Sequence, residues 1–211
     1  MSISASKENI LKKIRKALSH PTPIPFPQSE GKDTVFNVSV QENAVEFAEQ
    51  FSKLQGKFIY CQDRKEMGIQ LNNLVEFMQW NKVYCCEEDL KKMLRDFHFD
   101  KFSDTSLKDC DVSITGCEVL VAQTGSIVLS AAQTKGRTTS VYAPVHVCIA
   151  FTPQVMTDLK QALQWLKDKY GNDLPSMISF ATGPSRTADI EKTLVVGVHG
   201  PKEVYLLLVE A

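Results

Sequence analysis

The sequence predicts an α/β protein built on an open, mostly parallel sheet flanked by helices, with an N-terminal helix and a proline-rich arm in front of it. Three observations carry that prediction. Apolar periodicity switches repeatedly between helical and strand-like from about residue 38 onward. The strand-like runs Lys57 to Cys61, His146 to Phe151 and Val204 to Val209 are nearly continuous in apolar residues, as expected of strands covered on both faces. The chain has 211 residues, 43% hydrophobic and 23% charged, enough to bury a core without metal or disulfide staples.

Residues 1–37 form the first region. Ile3, Ile10, Leu11, Ile14, Ala17 and Leu18 recur on one helical face, opposite Lys7, Lys12, Lys13, Arg15 and Lys16. So few bulky residues favour a stripe packed on protein over a membrane-surface helix. Pro21, Pro23, Pro25 and Pro27 then favour an extended spacer and close the helix.

Residues 38–211 form the α/β region. Ser39 with Glu42 reads as a capping box for a helix carrying Ala44, Phe47, Ala48, Phe51 and Leu54. After the strand Lys57 to Cys61, Asp63 with Glu66 opens a helix whose core face is Met67, Leu71, Leu74, Val75 and Met78. Lys82 to Cys86 is a strand, followed by a helix with Leu90, Met93, Leu94 and Phe97. Val112 to Thr115, Val119 to Gln123 and Ile127 to Ala131 are short strands punctuated by Gly116 and Gly125. After His146 to Phe151, Thr152 caps a helix with Pro153 in its first turn and Val155, Leu159, Leu163 and Leu166 on its apolar face. Met177 to Ala181 and Val204 to Val209 are the last strands.

The formal charge of -1 lacks the basic footprint of a nucleic-acid binder or a polybasic membrane anchor. The first residues hold no secretory apolar stretch, and no run approaches the roughly 18 residues that span a bilayer. Cys61, Cys85, Cys86, Cys110, Cys117 and Cys148 lack disulfide-framework or metal-ligand spacing. Reduced, buried thiols in a cytoplasmic protein are expected, with no metal and no cofactor held by the chain itself.

Two loops are candidate ligand sites, since ligands of open α/β sheets sit outside the carboxyl ends of the strands. Thr124, Gly125 and Ser126 combine a turn-forming glycine with two hydroxyls. Gly183 to Glu191 follows a strand; there Gly183 permits close backbone approach. Ser185 or Thr187 could cap a helical turn with N–H groups free for an anion, and Arg186 adds a guanidinium fork. The alternative for both loops is a tight strand exit. Ser185 also mimics a nucleophile elbow, but the closing glycine is missing and the acid and His candidates follow too closely. His199 lies in a rigid turn with Gly200 and either meets a ligand or satisfies its own turn. Glu118 is a lone carboxylate, a possible nucleophile or base. No catalytic residue is assigned.

Thr124-Gly125-Ser126, Gly136-Arg137, the block Gly183 to Glu191 and the turn Leu194 to Pro201 together resemble the lactate-utilisation protein C family, whose members carry a LUD domain. That resemblance implies the sugar-phosphate isomerase and coenzyme A-transferase-like fold. It also implies a bacterial cytoplasmic protein needed to oxidise L-lactate to pyruvate, working beside iron–sulfur proteins of the same operon. Matching the motifs places Thr124, Gly125, Ser126, Gly136, Arg137, Gly183, Ser185, Arg186, Asp189, His199 and Gly200 near the site. Three roles follow as expectations: an accessory or substrate-handling subunit holding a small anion, a free-standing ligase- or transferase-like enzyme binding a nucleotide or coenzyme A, or a non-catalytic scaffold. Without cluster ligands or a dinucleotide loop, the chain is not expected to oxidise lactate alone.

Overall fold

The structure, a computed structural model, describes residues 5–19, 41–132, 138–187 and 195–210. The chain divides into two compact units, Met1–Val38 and Ser39–Ala211. In the first, helix α1 spans Ala5–Leu18, with Glu8 in its first turn and Arg15 and Lys16 in its last, each sign at the helix end that favours it. Ser19 closes it: its N–H donates to Arg15 O and its hydroxyl to Lys16 O. The proline arm, and Ser39 of the expected capping box, lie outside the described residues.

The second unit is organised by a five-stranded parallel sheet in the order β1-β11-β6-β3-β2. Its strands are β1 (Lys57–Cys61), β2 (Val83–Tyr84), β3 (Val112–Thr115), β6 (Val145–Phe151) and β11 (Glu203–Val209). One face bears Ile114, Val147, Ile149, Tyr205 and Leu207, packed under α3 (Arg64–Phe77) and α4 (Glu88–Asp96) through Met67, Leu71 and Leu94. Helix α3 starts as its sequence requires. Glu66 N–H donates to Asp63 Oδ1 at 2.8 Å, and Glu66 Oε2 accepts from Gln62 N–H at 2.8 Å.

The other face is covered differently from the sequence expectation. Helix α2 (Asn43–Lys53) lays Phe47 and Phe51 against it, the rings 5.4 Å apart. Beside α2 stands a second sheet, β7-β4-β5-β8, built from β4 (Val119–Val121), β5 (Ser126–Ser130), β7 (Val155–Met156) and β8 (Ile178–Ala181). Leu120, Ile127 and Leu129 reach from it into the shared core, and α6 (Leu159–Tyr170) covers its far side through Ala162 and Leu166.

The helix expected from Thr152 is therefore split. Residues Thr152–Gln154 form one 3₁₀ turn, Val155 pairs with Leu120, and α6 begins only after Asp158, whose side chain accepts from Gln161 N–H at 2.8 Å. Val155 and Leu159 share helical spacing, but a neighbouring strand offered Val155 a ladder that local periodicity cannot reveal. Similarly, β4 stops at Val121, and Ala122–Thr124 turn as a 3₁₀ segment. Among the described residues, no helix is long and apolar enough to cross a membrane.

Candidate functional site

The two loops singled out by sequence meet at the carboxyl end of α2. A hydroxyl chain joins them: Thr124 Oγ1 to Ser126 Oγ at 2.7 Å, and Ser126 Oγ to Thr182 Oγ1 at 2.8 Å. Both loop glycines have φ near the left-handed region, +61° at Gly125 and +84° at Gly183. Their close approach is to protein. A Cβ on Gly125 would lie 2.5 Å from Phe51 N, and one on Gly183 would lie 2.6 Å from Leu54 O. Arg186 Nη2 donates to that same Leu54 carbonyl at 2.6 Å, tying the second loop to the end of α2. So these residues frame a helix terminus, with the guanidinium satisfying a carbonyl the helix leaves free.

The helical turn expected after Ser185 is absent at those residues. Arg186–Thr187 is strand β9, paired antiparallel with β10 (Val195–Val196). Ser185 therefore does not open a helical turn, while the residues that would follow a cap at Thr187 lie outside the described residues. Asp189, Gly136 and Arg137 lie outside the described residues.

Ser185 instead supports the next turn. Its N–H donates to Pro201 O, and its carbonyl accepts from Gly197 N–H, both at 2.9 Å. Gly200 packs against Ser185, where a Cβ would come within 2.8 Å of Ser185 Cβ. This turn closes one side of a cavity of about 430 Å³ lined by Val141, Tyr142, Val198, His199, Gly200 and Lys202, among others. Val141 and Tyr142 belong to the short helix α5 (Thr139–Tyr142). Pro144 and Lys202, which immediately precede β6 and β11, place the cavity at the amino ends of those strands, opposite to the sequence expectation.

The structure thus brings Thr124, Gly125, Ser126, Gly183 and Arg186 together at α2. It sends Ser185, His199 and Gly200 to the cavity and its support. Sequence reasoning missed Lys202 and Tyr142. The only local sign was a lysine just after a Gly-Pro turn, which reads as an ordinary strand flank.

Glu118 and His146 are buried elsewhere. Glu118, 2% exposed, accepts from Lys169 Nζ and Tyr170 Oη at 2.6 Å and Ser130 Oγ at 2.5 Å. Burial alone would raise its carboxyl pKa, but the donors Lys169, Ser130 and Tyr170 outweigh that and hold it below the usual 4.5. Saturated in this way, Glu118 is poorly suited to be a nucleophile or base. His146 Nε2 lies 2.8 Å from Thr115 Oγ1, whose hydroxyl donates to Gly116 O at 2.9 Å. One hydroxyl hydrogen cannot serve both, so Nε2 carries the ring proton and donates. Burial pushes the imidazole down to about 4, leaving it neutral over the physiological range. Cys61, Cys85, Cys110, Cys117 and Cys148 are buried free thiols, and Cys86 is half-buried.

Fold and site define an α/β protein with a parallel sheet, a second mixed sheet and a turn-bounded cavity at the strand amino ends. Residues 100–209, more than half of the chain, match the family model of the LUD domain, and the chain belongs to that family. It is 35% identical over 105 residues to lactate utilization protein C of Bacillus licheniformis, covering 49% of this chain and 44% of that protein. For lactate utilization protein C of Bacillus velezensis the identity is 38% over 104 residues, covering 48% and 43%. The matched stretch spans less than half the length of both. A crystal structure of a DUF162 family protein from Deinococcus radiodurans shares the fold, with TM-score 0.58 and 15% identity, covering 80% of this chain and 99% of that one.

Proposed function

We propose that this chain is the substrate-handling component of a cytoplasmic system that oxidises L-lactate to pyruvate. The observation that carries this reading is the 35% identity to a protein named lactate utilization protein C. Electron transfer would belong to iron–sulfur partner proteins, because the six cysteines of this chain, at 61, 85, 86, 110, 117 and 148, lack cluster-ligand spacing. The turn at His199 and the cavity it borders would then serve to bind and present a small molecule.

Deletion of the gene from its host tests the reading. Growth on L-lactate is expected to slow or stop while growth on pyruvate continues. Normal growth on L-lactate, with no duplicate gene present, would remove the lactate assignment. A second reading, a ligase- or transferase-like enzyme for a nucleotide or coenzyme A, is favoured by the cavity volume of about 430 Å³, more than a three-carbon acid fills.

A further inference from the structure

We propose that the cavity at the amino ends of β6 and β11 binds an organic anion, a carboxylate or phosphate joined to an apolar body, with Lys202 and His199 meeting the charged end. Nothing in this inference depends on lactate being the substrate of the wider system.

Among the described residues the cavity is lined by one lysine and one histidine and by no Asp or Glu. Lys57, Lys91, Lys101 and Lys169 are each paired with a carboxylate. Among the described residues Lys202 has no such partner, so its ammonium is available to a ligand. The N–H groups of Val198, His199 and Gly200 likewise have no acceptor among the described residues. Three successive amides without an acceptor among the described residues, beside a cation, are the elements from which backbone anion sites are made.

The apolar side of the ligand follows from the exposed apolar residues of the lining. Tyr142 is 55% exposed, Val198 46% and Val141 41%, although each is large enough to gain from burial. Grouped around a concave surface, they suit a ligand whose body covers them. The volume of about 430 Å³ leaves room for that body as well as the charged group.

The site is also built before any ligand arrives. Gly197 has φ +80°, and a Cβ there would overlap Lys202 Cγ, so the glycine makes space for the lysine stem. The bonds from Ser185 to Pro201 and from Gly197 to Ser185 fix the turn from behind.

The test is an amide NMR titration of the full chain with pyruvate, inorganic phosphate and coenzyme A, separately, up to about 10 mM, where even a millimolar site is largely filled. Saturable shifts at Val198, His199 and Gly200 are expected with at least one probe, and tenfold or weaker affinity in Lys202→Met. The wild-type-like spectrum of that variant away from the turn confirms that it folds. A response to pyruvate without phosphate assigns a carboxylate. A response to coenzyme A or phosphate assigns a phosphate-bearing ligand, and in either case Tyr142→Ala should weaken an organic probe while sparing inorganic phosphate. No saturable shift at these amides with any probe, or unchanged affinity in Lys202→Met, overturns the proposal.

Discussion

Gly197 lies directly beneath the side chain of Lys202, and a methyl group on it would occupy the place of Lys202 Cγ. Gly197→Ala therefore forces two changes at once: a side chain at φ +80° and a displaced lysine. Backbone strain of this kind costs about 1–3 kcal/mol. We expect a lower melting temperature together with weaker binding of whatever anion the cavity takes. Gly171→Ala is the control, since its Cβ would meet nothing within 4 Å although its φ is also positive at +55°. It should carry strain without any effect on binding, by calorimetry of both variants.

Arg186 holds Leu54 O, so it is assigned to the frame of the loops and not to the cavity. Arg186→Met should lower stability by about 1 kcal/mol, a charged hydrogen bond discounted for exposure. Anion affinity at the Lys202 cavity should stay within twofold of wild type. Urea melts and binding titrations of the same preparation separate the two effects.

Glu118 anchors β4, β5 and α6 through Ser130, Lys169 and Tyr170. Glu118→Ala leaves those donors without their acceptor and should cost about 3 kcal/mol, the low end for breaking a buried pair because Lys169 still reaches water. Its folded-state pKa is depressed, so its stabilisation is fully present above the unfolded value of 4.5 and is lost as pH falls through the lower folded value. Stability curves of wild type and Glu118→Gln should therefore converge only in that acidic range.

His146 acts over a different window. Its pKa is near 4 folded and 6.5 unfolded, so the unfolded chain binds a proton that the folded chain refuses between those values. Folding stability should fall as pH drops from 6.5 towards 4, by up to about 1.4 kcal/mol per pH unit. His146→Gln should flatten this slope. An equally steep slope in the variant would assign the pH dependence to other groups.

What could be read from sequence was whatever depends on neighbours along the chain. The limits of strands β1 and β3 match their apolar runs residue for residue; β3 is buried throughout, whereas β1 lies at the sheet edge with Lys57 and Tyr60 exposed, so its run did not mean cover on both faces. The Asp63 cap of α3 is visible as a local feature. Contacts across the chain were not visible. Gly125 and Gly183 announce a close approach in sequence, yet only the fold shows that Phe51 and Leu54 make it, where a ligand was expected. Thr115 and His146 are 31 residues apart, and Tyr142 and Lys202 meet only because β6 and β11 are adjacent. Val155 changed from helix to strand because Leu120 offered a ladder.

The most direct measurement of the functional account is lactate-dependent dye reduction by the purified iron–sulfur partners, with and without this chain. Reduction is expected to be slow with the partners alone, absent with this chain alone, and restored when both are mixed. Robust lactate oxidation by the isolated chain with a simple soluble acceptor, or a full rate from the partners without it, would contradict the substrate-handling role.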